Sequence, residues 1–428
     1  MQEHRRAEPL IGPARKLQSI SEAGVRPTLL TELALKNLFL SGPFSVLDLA
    51  RLTRLSFELA DELFSRLREL QLCHVTGMTG NIPLIAITSQ GRTQALDLLS
   101  RCQYSGAAPV SLKSYVEQVR KQSVRDLEIH PPDINRAFAH LVLDPKTLWQ
   151  LGTSLNSGAS VFLYGPPGVG KTTIAETCAR VLGEDEVWIP YAVEVDGEII
   201  TVYDPATHAQ SKKPELASRD ERWVRCGRPA VLVGGELTIE MLDLQLNAIS
   251  RYYAGPPQMK ANNGVLIIDD FGRQRVRPEE LFNRWVVPLD RKIDFLTLAG
   301  GRKIEIPFEM LVVFATNMNP AELVDAAFLR RIQTKIGIGP ANDKQFCEIF
   351  RRVARERGLD FDEPLLKDLI QFIRVDLGQD LRPCHPRDLI NQVCWAARYM
   401  GIEPVLDRHS LMRAMDAYFM PNSERDAN

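Results

Sequence analysis

The run "SVFLYGPPGVGKTTIAETCA", residues 160 to 179, constrains this chain more than any other stretch. Gly165, Gly170, Lys171 and Thr172 stand at G-x-x-x-x-G-K-[ST] spacing, with an apolar strand pattern before the loop and a helical pattern after it. Glycines let backbone N–H groups curl round an anion, the helix N-terminus adds partial positive charge, and the lysine reaches the outer phosphates. The expected phosphate-binding residues are Gly165, Pro166, Pro167, Gly168, Val169, Gly170, Lys171, Thr172 and Thr173, the Thr172 hydroxyl doubling as a Mg²⁺ ligand. A loop of this kind needs an aspartate on a neighbouring strand to hold the Mg²⁺ water shell. Asp269, which ends the apolar run "GVLIID", fits that role, and Asp270 stands beside it.

Around this site the chain divides into expected domains. Residues 1–27 lack periodicity and read as a flexible arm. Over 28–107, "TLLTELALKNLFLSG", "SVLDLARLT" and "SFELADELFSRLRELQ" read as helices, the last two with serine N-caps. "LCHVT", the turn "GMTGN" and "PLIAIT" read as a hairpin, and "QGRTQALDLLSRC" as a further helix. Three helices, a hairpin and a helix are the layout of a winged-helix domain, and "LIAITSQGRTQA" resembles the strand-to-helix junction of bacterial examples. From 108 to 340 the apolar runs "SVFLYG", "VWIPYAVEV", "GVLIIDD" and "MLVVFATN" alternate with helical patterns, the mark of a parallel α/β sheet. Four helical patterns without strands fill 341–428.

With these parts in place the chain resembles the AAA+ ATPases. "LVVFATNMNP" resembles the sensor-1 strand, its polar residue matched by Asn317 ahead of Asn319. "DAAFLRRI" resembles the box ending in an arginine finger, here Arg331 with Arg330 beside it, which in the family enters the adjacent subunit's site. "HPRDLINQ" resembles sensor 2, carried by Arg387, and the four C-terminal helices match the family's lid. "RKIDFLTLAGGRKIEIPFEM" reads as a hairpin before the sensor-1 strand, resembling the pre-sensor-1 hairpin of the MoxR-like branch. The resemblance implies an α/β fold: a P-loop AAA+ parallel-sheet domain with a four-helix lid, preceded by an α+β winged-helix domain. It implies ATP and Mg²⁺ as ligands and a homo-oligomeric ring, a hexamer being favoured.

One departure bears on catalysis. Most members place Glu after the metal-holding Asp, whereas this chain has Asp270. Asp is shorter by one C–C bond, on the order of 1.5 Å, and a general base must come within about 2.6 to 3.2 Å of its water. Turnover that is real but slow is expected. Two further stretches are ambiguous. The polar insertion "ATHAQSKKPELASRDERWVRCGRP" reads as a solvated loop ahead of a substrate loop, and Tyr252 and Tyr253 as core ahead of a substrate grip.

Composition narrows the partners. With a net charge of -2 the chain has no global pull toward nucleic acid or anionic lipid. The third helix carries Glu58, Asp61, Glu62 and Glu69 against Arg66 and Arg68, unfavourable for a duplex backbone. A protein client docked on the winged helix is therefore preferred, with a DNA-linked loader or regulator and a slow nucleotide-gated switch as the alternatives. The polar start and the absence of a stretch of about 20 apolar residues lead to the expectation of a cytoplasmic protein. The seven scattered cysteines show no CxxC pair, so reduced thiols and no metal beyond Mg²⁺ are expected.

Overall fold

The computed structural model describes residues 16–183, 185–213, 219–323 and 326–419. They form two compact units that interleave along the chain. The first runs through Leu127 and takes in Leu182–Ile268 and Arg273–Val312; the second comprises Glu128–Val181, Asp269–Gly272 and the chain from Val313. These units do not follow the expected divisions at 108 and 340. Burial explains the difference: Ala192 and Ile199 share one apolar cluster with Leu30, Leu33, Leu63 and Ile85, although more than a hundred positions separate them in sequence.

In the first unit, helices Pro27–Ser41, Val46–Thr53 and Phe57–Glu69 precede the antiparallel strands Cys73–Thr79 and Ile82–Ile87 and the helix Ser89–Arg101. That is the element order expected from the sequence. Both serine caps form: Ser45 Oγ accepts from Asp48 N, whose carboxylate accepts from Ser45 N in return, and Ser56 Oγ accepts from Leu59 N at 3.3 Å. The arm expected over 1–27 needs correction. Residues 1–15 lie outside the described residues, whereas Ile20, Ala23 and Val25 are buried against the helices. A single 3-10 turn, Ile20–Ala23, is too short to leave a periodic pattern.

The run "VWIPYAVEV" also departs from expectation. Glu186–Pro190 pairs antiparallel with Trp223–Gly227, while Ala192–Val195 has an antiparallel neighbour in Glu198–Thr201 and a parallel one in Val110–Ser111, so only the second half of the run enters a parallel pairing. Parallel pairs in the first unit are Ala230–Val233 with Val265–Ile268, Val110–Ser111 with Ala192–Val195, and Tyr253–Ala254 with Glu198–Thr201. Part of the polar insertion is therefore structured: Trp223 is buried, and Arg222, 3% exposed, pairs with Asp220 at 2.8 Å and donates to Ala23 O and Pro109 O. Its residues 214–218 lie outside the described residues. Tyr253 is core, with its hydroxyl accepting from Ala299 N, and Tyr252 packs edge-on to Tyr104. The expected hairpin is present as Ile293–Thr297 with Lys303–Pro307.

In the second unit, Val161–Tyr164 lies between residues 313–316 of the strand Leu311–Thr316 and Thr334–Gly337, parallel to both. Four α-helices, Asp343–Glu356, Glu363–Gln371, Cys384–Met400 and Arg408–Tyr418, enclose a core that includes Phe346, Phe350, Leu389, Ile390 and Leu411. Among the described residues no helix is long and apolar enough to cross a membrane.

Candidate functional site

Every residue of the candidate site belongs to the second unit. The strand Val161–Tyr164 is buried through Leu163 and delivers the chain to Gly165, where the backbone turns at φ +150°. A Cβ on Gly165 would lie 2.0 Å from Ile338 O, so no other residue fits. Ile338 N donates to Tyr164 O at 2.8 Å, anchoring the strand end below the loop. The loop closes with Gly168 at φ +81° and Gly170 at +90°, and the helix Lys171–Gly183 begins at once. Strand, glycine-rich loop and helix follow one another as the G-x-x-x-x-G-K-[ST] spacing predicts.

Lys171 is 7% exposed. Its Nζ donates to Gly165 O and Pro166 O, each at 2.9 Å, and to Asn317 Oδ1 at 2.6 Å. Burial pulls this ammonium below the ordinary lysine range, against the opposing pull of Asp269 and Asp270. Asn317 Nδ2 donates in turn to Asp270 Oδ1 at 2.9 Å, so one amide bridges the cation and the carboxylate. Thr172 Oγ1 donates to Asp269 Oδ2 at 2.8 Å. The structure thus joins five of the expected residues, Lys171, Thr172, Asp269, Asp270 and Asn317, by direct hydrogen bonds.

The residues just beyond the carboxylates hold them in place. Asp270 adopts φ +48°, a left-handed conformation that Asp tolerates better than most side chains, and its N–H donates to Asp269 Oδ1 at 3.0 Å. Phe271 N donates to Ala315 O at 2.7 Å, and the buried Thr316 Oγ1 donates to Phe271 O at 2.6 Å. The Phe271 ring packs with Phe162 and Phe314, centroids 5.3 to 5.8 Å apart. Thr316 is a residue the sequence motifs do not single out, although it sits inside "FATN" beside Asn317. Asn319 plays a structural part, for its Oδ1 accepts from Ala321 N at 3.2 Å and caps the turn at Pro320–Leu323.

The remaining expected residues stand elsewhere. Arg330 is exposed and Arg331 half-buried after the short helix Ala326–Leu329. Arg387 is exposed, its Nε donating to Asp388 Oδ1 at 3.2 Å, while Asp388 Oδ2 accepts from Tyr418 OH. The C-terminal helices approach the loop through an earlier segment. Cys384 N donates to Gly168 O at 3.3 Å, and a Cβ on Gly168 would lie 2.7 Å from Cys384 Sγ and 3.3 Å from Arg382 Cδ. No local pattern marks Arg382, because its significance comes from a loop more than two hundred residues earlier.

Comparisons with known proteins find distant likenesses. Residues 342–417 match a family model described as a Domain of unknown function (DUF8689). No curated protein matches the chain. Among solved structures, NtrX from Brucella abortus in complex with ADP aligns at TM-score 0.41 and 13% identity over 68% of this chain and 60% of its own length. The RuvB Holliday junction branch migration motor from Thermotoga maritima aligns at 0.37 and 15% over 64% and 69%. Domain III of the replication initiation protein DnaA, also from Thermotoga maritima, aligns at 0.37 and 13% over 69% and 100%. At such identities the case for this chain's chemistry rests on its own loop, lysine and carboxylates.

Proposed function

We propose that this protein is a Mg-ATP-dependent AAA+ ATPase. The carrying observation is the linked set in which Lys171, held in the glycine loop, meets Asn317, and Asn317 meets Asp270. Those three groups supply what phosphoryl transfer requires: a cation at the outer phosphates, a polar group beside the transferring phosphoryl, and a carboxylate to orient water. The oxygen donors Thr172 Oγ1 and Asp269 Oδ2, already within 2.8 Å of one another, suit Mg²⁺, a hard cation that prefers oxygen ligands. Bound there, the ion would neutralise charge on the phosphates. Asp270 then orients water toward the outer phosphate, with Lys171 and Asn317 on the developing negative charge.

Arg331, with Arg330 beside it, acts in this proposal on the site of an adjacent subunit, in a ring for which a hexamer is favoured. The four C-terminal helices form the lid. The hairpin Ile293–Thr297/Lys303–Pro307 supports placement in the MoxR-like branch, and the three helices, hairpin and helix at the N-terminus support a winged helix. Its third helix favours a protein client over duplex DNA, since Arg66, one of its two arginines, is already paired with Glu62 at 2.7 Å. A groove of about 440 Å³ lined in part by Leu35, Leu67, Leu70 and Leu72 offers an apolar surface for such a client. The proposed setting is the cytoplasm. Titrating Mg-ATP into wild type and Lys171→Ala tests the site: saturable binding lost in the variant supports it, and equal binding by both refutes it.

A further inference from the structure

We propose that Arg382, rather than Arg387, is the cation that the C-terminal helices bring to the outer phosphate of the nucleotide, an assignment that rests on the ATP-site reading above. The two arginines lie on either side of the start of helix Cys384–Met400, and the structure treats them differently. Arg387 points into solvent, 65% exposed, and is engaged by the adjacent Asp388, which Tyr418 holds from its other oxygen. Arg382 is half-buried, and its guanidinium has no hydrogen-bond or ion-pair partner among the described residues.

Its position supplies the ligand. Both Arg382 Cβ and Cδ lie within 3.7 Å of the point a Cβ would occupy on Gly168, the exposed glycine of the phosphate loop. The guanidinium extends beyond Cδ and carries a fork of N–H donors matched to phosphate oxygens. Gly168 O accepts from Cys384 N, which ties the segment bearing Arg382 to the loop backbone. His385, buried behind this segment, feels the same charge: burial and then Arg382 push its ring down to about 4. A half-buried cation without an anion, set against a loop built to bind one, is satisfied when the phosphate arrives.

The test compares Mg-ATP and Mg-ADP affinity, by competition with a fluorescent nucleotide, in the full chain and four variants: Arg382→Ala, Arg382→Lys, Arg387→Ala and Lys171→Ala. A charge-assisted contact to the outer phosphate predicts that Arg382→Ala weakens ATP about tenfold and ADP less than about threefold. Arg382→Lys recovers part of the loss, and Arg387→Ala stays within about twofold of wild type for both nucleotides. Loss of ATP affinity in Arg387→Ala but not in Arg382→Ala overturns the assignment. Equal loss of ATP and ADP in Arg382→Ala also overturns it, since that is the mark of a structural role. If Lys171→Ala binds as well as wild type, the ATP-site reading itself fails; if Lys171→Ala is dead and Arg382→Ala is normal, only Arg382 fails. Should Arg382→Ala not fold, Arg382→Gln, which keeps much of the stem, is read by the same criteria.

Discussion

Lys171 Nζ and Asn317 Oδ1 are 2.6 Å apart, and the same asparagine donates to Asp270 at 2.9 Å. One amide therefore positions both the ammonium proposed to bind phosphate and the carboxylate proposed to orient water. Asn317→Ala is expected to lower kcat about ten- to a hundredfold while changing ATP affinity far less, because the lost interaction matters most in the transition state. Steady-state kinetics separate the two effects. A change confined to KM would contradict this role.

Asp270 combines its proposed role with a left-handed backbone at φ +48°. Asn tolerates the left-handed region as Asp does, so Asp270→Asn should keep its melting temperature and bind ATP, yet lose about a hundredfold or more in turnover. Asp270→Val should lose about 1 to 2 kcal/mol of stability in addition. Thermal melts beside turnover assays check both. A stable, active Asp270→Asn would remove Asp270 from the mechanism.

Two of the three loop glycines, Gly165 and Gly168, should differ in what they tolerate. On Gly165 a Cβ would meet the Ile338 carbonyl at 2.0 Å, whereas on Gly168 it would meet the Cys384 side chain at 2.7 Å. Backbone cannot step aside as a thiol can. Gly165→Ala is therefore expected to reduce soluble folded protein severely, and Gly168→Ala to fold while binding ATP more weakly. Circular dichroism and nucleotide titration distinguish the outcomes.

His385 gives the fold a pH dependence. It is buried against Tyr418 and Phe419, and its ring titrates near 4, below the ordinary value of 6.5. Between those values the unfolded chain binds more protons than the folded one at this position, so its contribution to stability falls as pH drops from 6.5 toward 4. Above 6.5 the contribution is fully present. His385→Leu should flatten the unfolding midpoint across that window. An unchanged slope would show that the dependence arises elsewhere.

The sequence made legible what it encoded locally. Gly165 to Thr173, Asp269 and Asn317 each sit in a short run whose residue types and apolar flanks single it out, and the structure brings Lys171, Thr172, Asp269, Asp270 and Asn317 together by direct bonds. The serine caps at Ser45 and Ser56 were readable for the same reason. Two parallel strands were not. Ala230–Val233 and Thr334–Gly337 are four residues long with mixed burial, too short and too uneven for alternation or a continuous apolar run to show. Within "VWIPYAVEV" the antiparallel pairing of Glu186–Pro190 and the parallel pairing of Ala192–Val195 with Val110–Ser111 are not separable by sequence, because apolar strands look alike whether their ladder is parallel or antiparallel. The contact of Cys384 and Arg382 with Gly168 spans the chain and leaves no local trace.

Whether the Lys171–Asn317–Asp270 set hydrolyses ATP is decided by phosphate release from Mg-ATP by the purified full chain, wild type against Lys171→Ala. A slow, saturable, Mg²⁺-dependent rate is expected in wild type, falling to background in the variant. A rate that survives Lys171→Ala, or no hydrolysis by a wild type that binds ATP, would contradict the proposed activity.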